Sequence, residues 1–585
     1  MGVGGNETTM TDLLDTDAPR ATDRLADPLW WRDAVIYEVY PRSFADGNGD
    51  GTGDLAGVRQ RLPYLADLGV DAVWFTPWYA SPLADGGYDV ADYRTIHPDF
   101  GTLEDAEALI ADALALGIRT IVDVVPNHVS REHEWFRAAL AAGPGSAERE
   151  RFWFRPGDAA PTHWESNFGG ETWTRLPDGD WYLHLFDAAQ PDLNWAHPDV
   201  RREHEEVLRF WLDRGVAGVR IDSAALLVKD PALPEVPAHP RPGEHPNTDR
   251  DELHTIYRGW RSVTDAYTGA PGAVDGTRAG TTPAPGTRAL VGEIWLEDTD
   301  RFTAYLRPDE LHTAFNFDFM SRPWNARDLR DSITTTLAAH APVGAPATWV
   351  LSNHDVTRPV TRYGRSASGF SFAAKRFGTP TDLALGTRRA RAAALLTAAL
   401  PGALYVYQGD ELGLPEVEDL PLDALQDPMH RRSGGVDPGR DGCRVPIPWV
   451  GTEPPYGFSS DARGAVAADP APTWLPQPAD WAPYTVAAQE RDPRSMLALY
   501  RDAIRLRREL LHHDESFAWL PSDDDVLAFR RGTLVCVVNT GDRPVPLPDH
   551  HDVLLASADT SDGTLPSDAA AWLAPEPNPT TQQRN

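Results

Sequence analysis

Three acidic residues stand in short motifs whose composition suits bond-breaking chemistry: Asp222 in GVRID, Glu293 in VGEIW and Asp355 in LSNHD. One such carboxylate is ordinarily a helix cap or a solvated loop residue. Three of them, each closing an apolar run, are hard to explain as caps. Arg220 lies two residues before Asp222. On a strand that spacing puts both side chains on one face, where the guanidinium is expected to lower the carboxyl pKa and keep Asp222 ionised. Glu293 is flanked by Val291, Ile294 and Trp295, so desolvation is expected to raise its pKa and keep it protonated. A carboxylate and a carboxylic acid held about 5–5.5 Å apart can cleave a glycosidic bond with retention of configuration.

Elements must bring these groups together. Eight β-rich apolar runs alternate with amphipathic helical stretches: Val35–Tyr40, Val70–Thr76, Arg119–Val125, Ala217–Ile221, Ala289–Ile294, Thr313–Phe317, Thr348–Leu351 and Ala403–Tyr407. Eight strand–helix alternations predict a parallel α/β barrel of the (β/α)₈ (TIM) type, whose active sites lie at the C-terminal strand ends. Asp222, Glu293 and Asp355 follow predicted strands four, five and seven.

The rhythm breaks in three places. Residues 128–195, rich in Trp, Phe, Gly and Pro, are too long for a loop and predict a subdomain inserted after strand three. Lys229–Ala289 is a second excursion, with a low-complexity Gly/Pro/Thr stretch over Thr268–Thr287, and Leu414–Tyr484 reads as irregular loops. Ser495–Leu511 predicts a helix, and strand–turn–strand signals over Asp525–Pro548 predict a small antiparallel β-domain. The predicted organisation is a disordered tail over 1–28, a barrel over 29–127 and 196–511, the insert over 128–195 and a C-terminal β-domain over 512–585.

DVVPNH (Asp123–His128), GVRID, GEIW and LSNHD resemble, in order and spacing, the four signature regions of the α-amylase family, glycoside hydrolase family 13. The resemblance implies Asp222 as nucleophile, Glu293 as acid/base and Asp355 as transition-state stabiliser. It implies His128 and His354 as partners of sugar hydroxyls, with Asp123 and Asn127 organising the site from beneath. Asp85 and Tyr88 in DGGYD resemble the pair that reads and stacks under a terminal glucose. Arg444 in GRDGCRVPIPW resembles an arginine that pairs with that aspartate and closes the pocket. Phe168 and Phe186 resemble aromatic walls, and Gln190 opens QPDLN, a motif of the α-glucosidase and oligo-1,6-glucosidase subgroup. The implied activity is retaining, exo-acting hydrolysis of small α-glucosides through a covalent glucosyl-enzyme; transglucosylases and sucrose- or trehalose-related isomerases of the family share this machinery. Ser223, the small residue after Asp222, points to α-1,4 linkages.

Asp46, Asn48, Asp50, Thr52 (through its carbonyl) and Asp54 alternate oxygen donors with glycines, which is hard-cation chemistry. The loop begins like an EF-hand but carries Gly57 at its twelfth position. It resembles the family's structural Ca²⁺ or Mg²⁺ site after strand one.

A net charge of −33 disfavours nucleic acid and anionic membranes as partners. Cys443 and Cys536 allow one disulfide at most. The polar N-terminus has no apolar signal region, and no run is long enough to span a bilayer, so the expected location is the cytoplasm. A monomer and a homo-oligomer are equally compatible with the sequence.

Overall fold

In the computed structural model, residues 25, 27–268, 286–460 and 470–575 are described. Eight parallel strands form the central sheet: β1 (Val35–Val39), β2 (Ala72–Phe75), β3 (Arg119–Val124), β4 (Gly218–Ile221), β5 (Ala289–Gly292), β6 (Thr313–Ala314), β7 (Thr348–Val350) and β8 (Ala403–Tyr407). Their order runs from β6 back through β1 to β8 and then β7. The seam between β6 and β7 is joined by Thr348, whose hydroxyl donates to Ala314 O at 2.7 Å and accepts from Asn316 N at 3.1 Å. Every strand expected from the sequence is present, most of them one to three residues shorter.

Alternation along the strands builds two cores. Ile36, Ala72, Trp74, Ile121, Val291 and Tyr405 pack together in one cluster. Their strand neighbours Val35, Tyr37, Val73, Phe75, Val122 and Leu290 join a larger cluster that includes helix residues such as Leu62, Leu109 and Leu208. The first set faces the barrel interior, and Glu38, Asp123 and Arg220 share its parity.

Eight helices follow the strands: α1 (Leu55–Leu68), α2 (Leu103–Ala115), α3 (Pro198–Leu212), α4 (Leu253–Asp265), α5 (Thr299–Ala304), α6 (Ala326–His340), α7 (Leu383–Ala399) and α8 (Met496–Leu511). Local chemistry fixes their ends. Thr102 and Asp105 form a capping box at α2, Ser495 caps α8, and Gly69 ends α1 in a left-handed conformation with φ 91°.

Between β3 and α3 lies the insert, with a helix (Glu134–Ala142) and a three-stranded antiparallel sheet (Phe154–Pro156, Trp173–Arg175, Asp180–Leu183). The second excursion contains α4; of its Gly/Pro/Thr stretch, residues 269–285 lie outside the described residues, as do residues 1–24 and 26 of the expected tail. After α8, β9 (Ala518–Trp519), β10 (Val526–Arg531), β11 (Leu534–Asn539), β12 (Asp552–Ala556) and β13 (Ala569–Ala574) form an antiparallel sheet. It docks on α7, where Trp572 Nε1 donates to Leu395 O at 3.0 Å and Arg389 pairs with Asp568 at 2.8 Å. Both cysteines are free and buried, so the disulfide left open by the sequence is not formed. Among the described residues no helix is long and apolar enough to cross a membrane.

Candidate active site

Strand register explains how the acidic groups meet. Ile221 on β4 pairs with Gly292 on β5, so Asp222 and Glu293 leave adjacent strands at one level. Asp222 N still donates to Val124 O and Glu293 N to Ile221 O, both at 2.9 Å, which ties both residues to the barrel rim. Arg220 pairs in register with Asp123 on β3 and Val291 on β5, one step below.

From there Arg220 serves three carboxyl groups. Its Nη1 lies 2.7 Å from Asp222 Oδ1 and 3.0 Å from Asp123 Oδ2, and its Nη2 lies 2.9 Å from Glu293 Oε2. Arg220 is 1% exposed. One buried guanidinium cannot neutralise three carboxylates, so at least one is driven to hold a proton. Burial, reinforced by the charges of Asp222 and Asp355 and opposed by Arg220, pushes Glu293 up to about 7. This is the direction expected from its apolar neighbours.

The expectation for Asp222 is corrected. Burial raises its carboxyl above the usual range, and Arg220 limits the rise without reversing it. Proximity in sequence shows the favourable charge but not the loss of solvent. Asp355 is the group held well below the usual range: burial opposes its ionisation, but His354, Arg440, Arg444 and Arg220 outweigh it.

A cavity of about 390 Å³ opens over these residues, lined by Asp222, Glu293 and Asp355 together with Asp85, Tyr88, His128, Phe168, Phe186 and Ser223. The two phenylalanines meet edge to face at 5.2 Å. Ser223 has φ 47°, strained for a non-glycine residue, and in that conformation its N–H donates to Glu293 Oε2 at 2.8 Å. Trp295 donates its indole N–H to Glu293 Oε1 at 3.1 Å and stacks on Phe317 at 3.8 Å.

Other expected site residues stand behind the cavity wall. Gln190 Nε2 lies 2.9 Å from Asp85 Oδ2 and 3.1 Å from His128 Nε2. His354 is fully buried, stacked on Tyr88 at 5.2 Å, with its Nε2 3.5 Å from Asp355 Oδ1. Asn127 accepts from Lys229 Nζ at 2.6 Å, and that ammonium also pairs with Asp192 of the insert at 2.7 Å.

The expected pairing of Arg444 with Asp85 is also corrected. Arg440 makes it, at 2.6 Å, and also reaches Asp355 at 3.0 Å and Asp427 at 2.6 Å. Arg444 instead donates to His354 O at 2.8 Å and pairs with Asp355 at 2.9 Å. Both arginines belong to GRDGCR, and the single 3₁₀ turn Asp441–Cys443 between them sends one into the cavity and the other behind it. Arg440 also lies over the Phe168 ring at 4.9 Å. Nearby, Arg432 donates to Gly169 O and Glu171 O, both at 2.8 Å, so the segment after β8 clasps the insert and walls one side of the cavity.

Replacing Arg440 with Gln is expected to leave Asp85 and Asp427 without their cationic partner, at about 3–5 kcal/mol, while Asp355 keeps Arg444. Thermal unfolding and kcat/KM should both fall; unchanged values for both would remove Arg440 from the site.

Sequence reasoning missed Glu38, whose Oε1 shares a hydrogen bond with His354 Nδ1 inside the barrel. Its signal was a lone charge on the inward face of an otherwise apolar strand.

The oxygen-rich loop follows β1. Asp46 accepts the N–H groups of Asn48 at 3.0 Å, Gly49 at 2.6 Å and Gly51 at 2.8 Å. Asn48 and Asp50 each accept from the amide two residues on, at 2.9 and 2.8 Å. Gly51 is required, since a Cβ there would meet Pro472 O at 2.1 Å. Asp54 caps α1 by accepting from Gly57 N. Burial raises Asp54 to about 6 against two backbone N–H donors, with Asp46 and Asp50 adding repulsion. Asp46, Asp50 and Asp54 supply hard oxygen donors, the class of ligand that a divalent hard cation takes.

Fold and site together define a carbohydrate-cleaving barrel, and the comparisons agree. The model of the α-amylase catalytic domain matches residues 38–514, and that of a domain of unknown function matches residues 514–572. The chain belongs to the α-amylase family of glycoside hydrolases. It is 35% identical over 530 residues to a probable alpha-glucosidase of Rhizobium meliloti (strain 1021), covering 86% of this chain and 85% of that one. It is 33% identical to an oligo-1,6-glucosidase of Parageobacillus thermoglucosidasius, covering 82% and 84%. Among solved structures, trehalulose synthase MutB from Pseudomonas mesoacidophila MX-45 matches with TM-score 0.77 and 29% identity, over 93% of this chain and 99% of that one.

Proposed function

We propose that the protein is a retaining, exo-acting α-glucosidase that releases single glucose units from maltose-like α-1,4-glucosides. The observation that carries this is Arg440, which joins Asp85 and Asp355 across the cavity and shuts the end a longer chain would have to thread. A pocket closed on one side admits a chain terminus, whereas a cleft open at both ends admits internal segments. In this reading Asp222 attacks the anomeric carbon, Glu293 protonates the departing oxygen and then activates water, and Asp355 stabilises the positive charge of the transition state. Asp85, Tyr88 and His128 hold the terminal glucose against the wall formed by Phe168 and Phe186. Ser223 leaves space beside the departing sugar, as an α-1,4 preference requires.

The test is incubation with maltose, isomaltose, maltotriose, sucrose, trehalose and soluble starch, following products by NMR. Glucose appearing first as the α-anomer from maltose, with starch nearly untouched, is the expected result. Initial β-anomer would refute attack by Asp222, and rapid starch scission would refute the pocket. A new disaccharide without net glucose release would favour an isomerase reading over hydrolysis and bring the protein nearer to MutB, which is named a trehalulose synthase.

The loop of Asp46, Asn48, Asp50, Thr52 and Asp54 is assigned in the same reading as a structural Ca²⁺ or Mg²⁺ site. Bound there, the ion would offset the loop's negative charge. Chelation is expected to lower the thermal midpoint by about 2–4 °C, with recovery on adding calcium. A midpoint that ignores both chelator and calcium would remove the assignment.

A further inference from the structure

A second group of ligating side chains lies at the opposite face of the barrel. Asp33 precedes β1, while His512 and His513 follow α8 directly, so all three meet at the N-terminal strand ends. Asp27 approaches from the segment leading into the barrel, its Oδ2 3.4 Å from His513 Nε2. One ligand atom from each of Asp27, His512 and His513 can be chosen so that all lie within 4.8 Å of one another. A small cavity of about 80 Å³ adjoins them, lined in part by Asp27, Asp33 and His512.

We infer that Asp27, His512 and His513 form a binding site for one divalent transition-metal ion of the zinc class, with Asp33 orienting His512. Ligands bonded to a tetrahedral ion at 2.0–2.1 Å sit about 3.3 Å apart. The 3.4 Å between Asp27 and His513 is long for a hydrogen bond and matches that separation. Asp33 Oδ2 lies 3.1 Å from His512 Nδ1. A carboxylate in that position fixes the ring with Nε2 free to ligate, the usual support of a metal-bound histidine.

His513 has φ 58°, an uncommon conformation for a residue with a Cβ, and it is held there while its N–H donates to Asp33 at 2.6 Å. The result is two imidazoles on consecutive residues, ring centroids 3.8 Å apart, both facing the carboxylates. Of the nearby arginines, Arg508 pairs with Asp71 at 2.9 Å, while Arg507 donates to the carbonyls of Ala398 and Leu400 and, at 3.4 Å, to the backbone carbonyl of Asp33. Imidazole with carboxylate selects zinc, cobalt or nickel over calcium, which separates this site from the loop after β1. Bound metal would staple the entry segment to the junction between barrel and C-terminal sheet.

The test is calorimetric titration of full-length, tag-free protein with zinc chloride in excess calcium, repeated with cobalt(II) and read by visible absorption. One equivalent should bind, with a rise in thermal midpoint. Asp33→Asn should weaken binding about 10–100-fold. His513→Gly keeps the backbone N–H and suits the positive φ, so it should fold normally and lose the bound equivalent. His512→Ala should lose it too. Absence of stoichiometric zinc binding, or binding unchanged in His513→Gly, overturns the site.

Discussion

Asp222→Asn protein should bind small α-glucosides and turn them over at least about 10⁴-fold more slowly than the parent. The amide keeps the size of the carboxylate and can still accept from Arg220, which lies 2.7 Å from Asp222 Oδ1. It has no negative charge with which to form a glycosyl ester. The loss should fall on kcat, because the walls built by Tyr88, Phe168 and Phe186 are untouched. Substrate binding by calorimetry and thermal unfolding should stay near the parent values, which separates lost chemistry from lost fold. Turnover within tenfold of the parent would sink the assignment. The same change removes one of the charges that raise Glu293, so the Glu293 pKa should move down from about 7.

The second large effect concerns Glu293. A general acid must be protonated in the free enzyme, and burial sets this one near 7. The acid form is complete at lower pH and is lost as pH rises through that value. Parent kcat/KM on maltose should therefore fall about tenfold per pH unit above about 7. Glu293→Gln should lower kcat/KM on maltose by about 10²–10⁴-fold and erase this basic limb. A nitrophenyl α-glucoside, whose leaving group needs no proton, should largely escape the defect in the first chemical step, and its burst of phenol should persist. A basic limb that survives in Glu293→Gln would place the acid elsewhere. Trp295 and the Ser223 amide each donate to one oxygen of Glu293 and restrain it from both sides. They favour the ionised form, so the net rise belongs to desolvation and to the neighbouring carboxylates.

Why these residues were legible follows from where they sit. The strands are short, apolar and bounded by polar breaks, so local periodicity is enough to place all eight. Asp222 and Glu293 follow strand ends directly, so their position along the barrel axis is fixed once the strands are; Asp355 lies five residues beyond the end of β7. GVRID, VGEIW and LSNHD each carry strand, terminus and reacting group within a few residues. The paired parity of Arg220 and Asp222 is a local property too, and it survived folding as a 2.7 Å contact.

What the chain alone could not specify depends on convergence. Choosing between Arg440 and Arg444 required the direction taken by one 3₁₀ turn, because both residues satisfy the same local pattern. The rise at Asp222 required knowing that three carboxyl groups share one buried guanidinium, a sum over strands β3, β4 and β5. Glu38 under His354, and the meeting of Asp27 and Asp33 with His512 and His513, join residues more than 300 positions apart. By itself the sequence determined the barrel, its acidic rim and the nature of its chemistry, since those follow from periodicity and residue type. Tertiary structure decided which charges face one another and how much water they lose, because electrostatic energy depends on distance and solvent exposure, and neither is a property of a segment.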